Sequence, residues 1–338
     1  MIIVLEPNVT KAEIAHLMDK IEKMGLKPWL SEGEERRIIG VIGKEDILRL
    51  KPLEGIPGVE KVIPILKPYK LASLEYKRTP SEITLGNGLT IGGGKIVVMA
   101  GPCSVEGREM LFEVARSVKK SGATVLRGGA FKPRTSPYSF QGLGEEGLKY
   151  LREAADATGL LVVTELMDTR NLDLVMRYTD IIQIGARNMQ NFDLLKEVGK
   201  VRKPVLLKRG MSSTIKELLM SAEYILSGGN PDVILCERGI RTFEDFTRFT
   251  LDINAVPAVK SLSHLPIIVD PSHASGKWGL VKALALASIA AGADGLIVEV
   301  HSSPEDAVSD GDQSLVPERF AAMMKDISKV ALALGRGI

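Results

Sequence analysis

The chain has 338 residues, 45% of them hydrophobic, enough to build a sizeable core in one large domain of roughly 250 residues and a second, much smaller one. The 44 basic and 42 acidic residues leave a formal charge of +2, which excludes bulk electrostatic binding to nucleic acid. Two cysteines make no disulfide framework, the amino terminus lacks a basic stretch followed by a long apolar run, and no apolar span reaches about twenty residues, so a cytoplasmic protein without membrane association is expected.

Residues 1–67 carry a pattern of their own. Ile2 to Leu5 reads as a strand. Thr10 precedes a helix, and Glu13 three residues later completes a reciprocal cap. Ile14, Leu17, Met18 and Ile21 then mark one apolar helical face, and Gly25 ends it. Lys27 to Leu30 and Arg37 to Ile42 read as strands, Glu45 to Leu53 as a short helix and Val59 to Leu66 as the last strand. The order β-α-β-β-α-β predicts a ferredoxin-like sheet with helices on one face. No catalytic cluster lies in it, so an assembly module and an effector sensor are both open readings.

Residues 68–95 form a linker and a hairpin. The linker, Pro68 to Pro80, carries mixed charge. Asn87-Gly88 favours a tight turn, because both residues tolerate positive φ, and the two strands beside it suit a plug for the bottom of a barrel. From residue 96 to the end, eight strand-like runs alternate with helical patterns. The strands are Ile96–Ala100, Thr124–Arg127, Leu161–Thr164, Ile181–Ile184, Val205–Leu207, Val233–Cys236, Ile267–Val269 and Leu296–Val300. Most are continuously apolar, as burial on both faces demands. The helices are expected at Arg108–Lys120, Glu145–Thr158, Asn171–Tyr178, Asn191–Val198, Thr214–Leu226, Phe243–Phe249, Leu280–Ala291 and Pro317–Leu334. Eight βα units close into a (β/α)8 TIM barrel more naturally than into an open sheet; Gly101-Pro102-Cys103-Ser104 after the first strand is not GxGxxG, and no GxxxxGK[ST] segment occurs.

Polar residues follow the strands, on the rim where such barrels place their sites. Cys103 follows the first strand, His273 the seventh, Glu299 ends the eighth and Asp310 lies in the loop beyond. Strands one, seven and eight are neighbours after closure, so these four can converge on one metal. Thiolate, imidazole and carboxylate together suit Mn, Fe, Co, Cu or Zn without selecting among them. Each residue also has a plain reading: Cys103 as a small hydrophobe, His273 as a partner of Asp270, Asp310 as a turn residue. His301 is placed beside the ligands as a hydrogen-bonding neighbour.

A second group is cationic. Arg127, Lys132 and Arg134 lie in VLRGGAFKPRTSPYSFQG, where Pro133 and Pro137 restrict the loop and Thr135 and Ser136 add donors. Arg187, Lys208 and Arg238 follow later strands, and Glu165 and Glu237 are placed to hold neighbouring cations. Guanidinium forks and ammonium groups around an apolar-floored mouth suit small phosphates and carboxylates. Nucleic acid needs a broader footprint with stacking surfaces.

AGPCS at 100–104, LRGGAFKPRTSPYSFQG at 126–142, QIGARNMQN at 183–191, LLKRG at 206–210, ILCERGIRT at 234–242, VDPSHASG at 269–276 and VEVH at 298–301 come in order along the rim. Through them the chain resembles the 3-deoxy-D-arabino-heptulosonate 7-phosphate (DAHP) synthases of type I-beta, which carry an N-terminal ferredoxin-like regulatory domain. The resemblance covers the whole barrel and, less specifically, residues 1–67. It implies a metal-dependent condensation of phosphoenolpyruvate with D-erythrose 4-phosphate, the first step of the shikimate pathway. It implies Cys103, His273, Glu299 and Asp310 as ligands of one divalent ion, Mn2+, Fe2+, Co2+ or Zn2+, with Cu2+ and Cd2+ as alternatives. Lys132, Arg187, Lys208 and Arg238 resemble the phosphoenolpyruvate cradle; Arg127, Pro133, Arg134, Thr135 and Ser136 resemble part of the aldose-phosphate track. Lys132 is the expected proton donor, and Glu165 and Lys208 are expected to place the water.

The resemblance further implies feedback control by tyrosine or phenylalanine and a homotetramer or homodimer. Three rivals stand beside it: the related synthase that uses arabinose 5-phosphate, a lysine-imine mechanism through Lys132 or Lys208, and a ligand-sensing barrel without turnover.

Overall fold

The computed structural model describes residues 1–33, 36–43, 53–63, 68–132, 138 and 140–338. It contains two compact units, Met1–Pro68 and Tyr69–Ile338.

In the first unit, β1 (Ile2–Leu5), β2 (Lys27–Glu32), β3 (Arg37–Ile42) and β4 (Val59–Ile63) form an antiparallel sheet in the order β2-β3-β1-β4. Helix α1 (Lys11–Lys23) begins where the Thr10 hydroxyl accepts the Glu13 N–H and the Glu13 carboxylate accepts the Thr10 N–H, a reciprocal cap worth about 1 kcal/mol. Its buried residues Ile14, Leu17 and Ile21 join Ile3, Leu5 and Ile39 in one core. This is a ferredoxin-like sheet. Of the expected second helix, Glu45–Leu53, residues 45–52 lie outside the described residues; Leu53 opens a 3-10 turn, Leu53–Gly55.

The second unit is a closed barrel of eight parallel strands: β7 (Val97–Gly101), β8 (Val125–Arg127), β9 (Leu161–Glu165), β10 (Ile181–Ile184), β11 (Val205–Lys208), β12 (Val233–Glu237), β13 (Ile267–Val269) and β14 (Gly295–Glu299). Around it run α2 (Arg108–Lys120), α3 (Glu145–Thr158), α4 (Leu172–Tyr178), α5 (Phe192–Lys200), α6 (Ile215–Ser227), α7 (Ala255–Leu262), the short α8 (Pro271–Ser275), α9 (Trp278–Ala290) and α10 (Pro317–Ala333). Among the described residues no helix is long and apolar enough to cross a membrane.

Strand parity separates two cores. Val98, Leu126, Val162, Ile182 and Leu235 join the helix-facing cluster. Their neighbours Val97, Met99, Val125, Leu161, Val163, Ile181, Leu206, Ile234, Ile268 and Ile297 fill the barrel. The hairpin of β5 (Ile83–Thr84) and β6 (Thr90–Ile91) adds Ile83, Leu85 and Ile91 to that inner cluster. Gly88 takes φ +82 in its turn, as the Asn-Gly pair predicts. A Cβ on Gly92 would lie 3.2 Å from Pro266, just before β13, which sets the hairpin at the amino-terminal end of the strands.

The linker is more ordered than its mixed charge suggests. The backbone N–H groups of Lys70, Leu71 and Ala72 all donate to the Glu223 carboxylate on α6. One expected helix is absent: Phe243–Phe249 is a non-helical loop, and α7 follows it. The aromatic spacing of Phe243, Phe246 and Phe249 imitates a helical face, yet Phe243 is fully exposed. The backbone of this loop bonds elsewhere, pairing Ile240 with Thr250 and donating from Arg248 and Phe249 to the Ser275 and Ala274 carbonyls of α8.

Candidate active site

Because residues i and i+2 of a strand share a face, the inward parity continues past the apolar layers to Gly101, Arg127, Glu165, Gln183, Lys208 and Glu299. The barrel interior therefore ends at its carboxyl rim in a polar layer. Gly101 has φ +155, and a Cβ there would lie 2.1 Å from the Arg127 carbonyl oxygen, so the turn into Pro102-Cys103 requires glycine.

Cys103, Glu299 and Asp310 bring one ligand atom each within 4.8 Å of one another. The Cys103 thiol donates to Asp310 Oδ2 at 3.1 Å. His273, on α8, adjoins the group with Nε2 3.4 Å from Glu299 Oε1. The structure thus groups three of the four expected ligands closely and sets the fourth, His273, beside Glu299. Thiol, imidazole and two carboxylates are a donor set that fits a divalent transition metal. Glu299 is buried and held from outside the group: Arg127 Nη1 donates to Oε1 at 2.8 Å and Gln313 Nε2 to Oε2 at 2.7 Å.

Burial pushes the Cys103 thiol up to about 11, with Glu299 adding to the rise and Lys132 opposing it. Burial lowers the His273 pKa against the pull of Asp270 and Glu299, favouring the neutral, ligating imidazole. Burial would raise the Asp310 pKa, but His273, the Cys103 hydrogen bond and Arg248 carry it down to about 2.

His273 also lies against Asp270, its plain reading. Asp270 Oδ1 accepts the His273 backbone N–H at 2.9 Å, and Oδ2 lies 2.8 Å from Nδ1 without hydrogen-bonding alignment. The same Oδ2 accepts Lys208 Nζ at 2.5 Å. Burial disfavours this charge, yet His273 and Lys208 hold the Asp270 carboxyl well below the usual range. His301 does not bond to the four: its Nδ1 accepts the Ser303 N–H, and its Nε2 lies 3.4 Å from Glu106.

The cations divide by what already holds them. Arg127, expected on an aldose track, gives Nη1 to Glu299 and the Pro102 carbonyl. Lys132 Nζ donates to Cys103 Sγ at 2.9 Å and to its carbonyl at 3.1 Å; Gly129 makes room, since a Cβ there would lie 2.9 Å from Lys132 Cδ. Arg187 is exposed on the turn after β10. Pro133, Arg134, Thr135 and Ser136 lie outside the described residues.

Arg238 is different. It is buried, stacks at 4.1 Å over the Phe249 ring and has no carboxylate partner among the described residues; its Nη1 is buried without a hydrogen bond. Desolvation lowers its pKa, the sign of a buried cation lacking its anion. Glu237 does hold a cation, as expected, but an unforeseen one: Arg209, which also pairs with Asp252, each at 2.8 Å. Glu165 holds none among the described residues; Gln183 Nε2 donates to it at 3.4 Å, and a Cβ on Gly185 would collide with its carboxylate. The sequence reading passed over Gln183 and Gln313. Parity flags the first, two residues beyond the inward Ile181, whereas only folding brings the second to Glu299.

Residues 78–333 match the DAHP synthetase I family model, and residues 1–67 match the model for the DAHP synthase ferredoxin-like domain. A phospho-2-dehydro-3-deoxyheptonate aldolase of Thermotoga maritima is 55% identical, over 99% of both chains. A crystal structure of the Thermotoga maritima phospho-2-dehydro-3-deoxyheptonate aldolase (DAHP synthase) superposes with a TM-score of 0.94 at 53% identity, covering 99% of this chain and 98% of that one. A 2-dehydro-3-deoxyphosphooctonate aldolase of Syntrophobacter fumaroxidans is 30% identical over 71% of this chain and 88% of its own length. The convergent rim and these likenesses lead to one conclusion: the chain belongs to the DAHP synthetase I family.

Proposed function

We propose that the protein condenses phosphoenolpyruvate with D-erythrose 4-phosphate and water, giving 3-deoxy-D-arabino-heptulosonate 7-phosphate and inorganic phosphate. The carrying observation is the buried, anion-seeking Arg238 on the rim that also gathers Cys103, His273, Glu299 and Asp310. An unpaired buried guanidinium is costly in the free protein and favourable once an anion reaches it.

In this reading Arg238, Arg187 and Lys208 hold the phosphate and carboxylate of phosphoenolpyruvate, with Lys208 fixed in place by Asp270. Carbon 3 of the enolpyruvate then attacks the aldehyde carbon, and Lys132 delivers a proton to the aldehyde oxygen. Glu165 and Lys208 place a water that adds to carbon 2, losing a proton to the site. The phosphohemiketal collapses by carbon–oxygen cleavage, releasing phosphate and leaving a ketone. Cys103, His273, Glu299 and Asp310 would hold a divalent metal, which when bound supplies Lewis-acid polarisation and orientation of the aldehyde carbonyl.

The second reading replaces erythrose 4-phosphate with arabinose 5-phosphate and draws on the likeness to the octonate aldolase. Steady-state rates with each aldose and phosphoenolpyruvate, before and after metal stripping and reloading, separate the two. Preference for the four-carbon aldose with rate restored by metal is the expected result. Preference for the five-carbon aldose, or a full rate in stripped protein, overturns the proposal in its specificity or its metal dependence, respectively. Residues 1–67 are assigned feedback control by tyrosine or phenylalanine, on the match of that segment to a domain characteristic of these synthases. A full-length enzyme indifferent to both amino acids ends that assignment.

A further inference from the structure

We propose that Arg248 and Gln313 are positioning residues that lock the carboxylates of Asp310 and Glu299 into one unit; this rests on the metal reading above. Neither is among the four donors, yet each reaches one of the carboxylates from behind. Arg248 Nη1 donates to Asp310 Oδ1 at 3.1 Å, leaving Oδ2 turned to Cys103. The same nitrogen donates to Gln313 Oε1 at 3.1 Å. That contact fixes the orientation of the Gln313 amide, whose Nε2 donates to Glu299 Oε2 at 2.7 Å. The chain Asp310–Arg248–Gln313–Glu299 is thus continuous, and the buried Gln313 has both amide atoms committed.

The surroundings are shaped for it. Asp310 has φ +53, the only non-glycine positive φ among the described residues, a left-handed turn that aspartate tolerates better than most side chains. Gly311 follows because a Cβ there would lie 2.1 Å from the Pro304 carbonyl oxygen. Arg248 is anchored through its N–H to Ser275 O at 3.1 Å, and its stem lies on Gly276, where a Cβ would approach Arg248 Cβ to 2.6 Å. The guanidinium thus reaches Asp310 from the end of the helix that carries His273. Orienting partners of this kind govern metal affinity without touching the ion.

The test is Co2+ binding by metal-stripped full-length protein, read by chelator competition and by the thiolate-to-cobalt and d–d absorption bands. Arg248→Met should weaken Co2+ binding roughly 10–100-fold. The thiolate band should persist at saturation while the d–d pattern changes. Arg248→Lys should recover most of the loss. Gln313→Met should weaken binding similarly, and the double variant should lose less than the product of the single losses, because the two residues act through one connected path. Affinity within about twofold of wild type in Arg248→Met, or single losses that multiply independently, overturns the proposal while leaving the metal reading standing. A wild-type protein that shows no thiolate band overturns the metal reading and this proposal together.

Discussion

The two ends of the barrel follow the same inward parity and spend it differently. At the amino-terminal end Ile83, Leu85 and Ile91 seal a layer of aliphatic side chains. At the carboxyl end the same strands present Arg127, Lys208 and Glu299, with Asp270 and Arg238 just beyond, all buried. One end gains stability from burial; the other keeps charges out of water, which is costly unless they are paired or meet a ligand. The contrast shows how one scaffold separates folding from chemistry by a few residues along each strand.

Substitutions at either end can break this contrast. Cys103→Ala, at the carboxyl end, carries the largest expected effect: loss of bound metal and a fall in turnover of more than ~100-fold, beyond the usual cost of losing a ligand's supporting partner. The thermal unfolding midpoint should change little. Metal analysis and assay of the purified variant decide it, and unchanged metal content with an unchanged rate sets the assignment aside. Ile91→Ala, at the sealed end, should do the reverse, destabilising the barrel unit by about 2–5 kcal/mol while leaving kcat per folded molecule intact. Denaturant melts paired with active-site titration check both halves.

Arg238→Met sharpens the comparison further. Loss of a charge-assisted contact of about 1.5–3 kcal/mol should raise the KM for phosphoenolpyruvate roughly 10–150-fold. The same change should leave stability equal or improved, because a desolvated cation with no carboxylate partner among the described residues has gone. A variant that loses stability and keeps its KM would place Arg238 with the structural charges.

Much of this was legible in the chain. The eight apolar runs, the Thr10 cap, the Asn87-Gly88 turn and the rim placement of Cys103, His273, Glu299 and Asp310 each depend on local pattern or on which strands become neighbours at closure. What escaped depends on contacts between segments distant in sequence. Phe243, Phe246 and Phe249 repeat at helical spacing, and only the carbonyls of Ala274 and Ser275 show why that loop is held non-helical. Arg209 sits beside Lys208 in sequence but faces Glu237 and Asp252, a difference set by strand parity. Gln313 is an unremarkable residue in SDGDQS until Glu299 and Arg248 close on its amide.

Asp270 links the two halves of the rim. One oxygen atom neutralises an ammonium on the anion-receptive side and lies against the imidazole on the donor-rich side. Retuning either half for another substrate would therefore disturb the other, so an engineered change of acceptor is best sought in loops that leave this shared hinge of charge untouched.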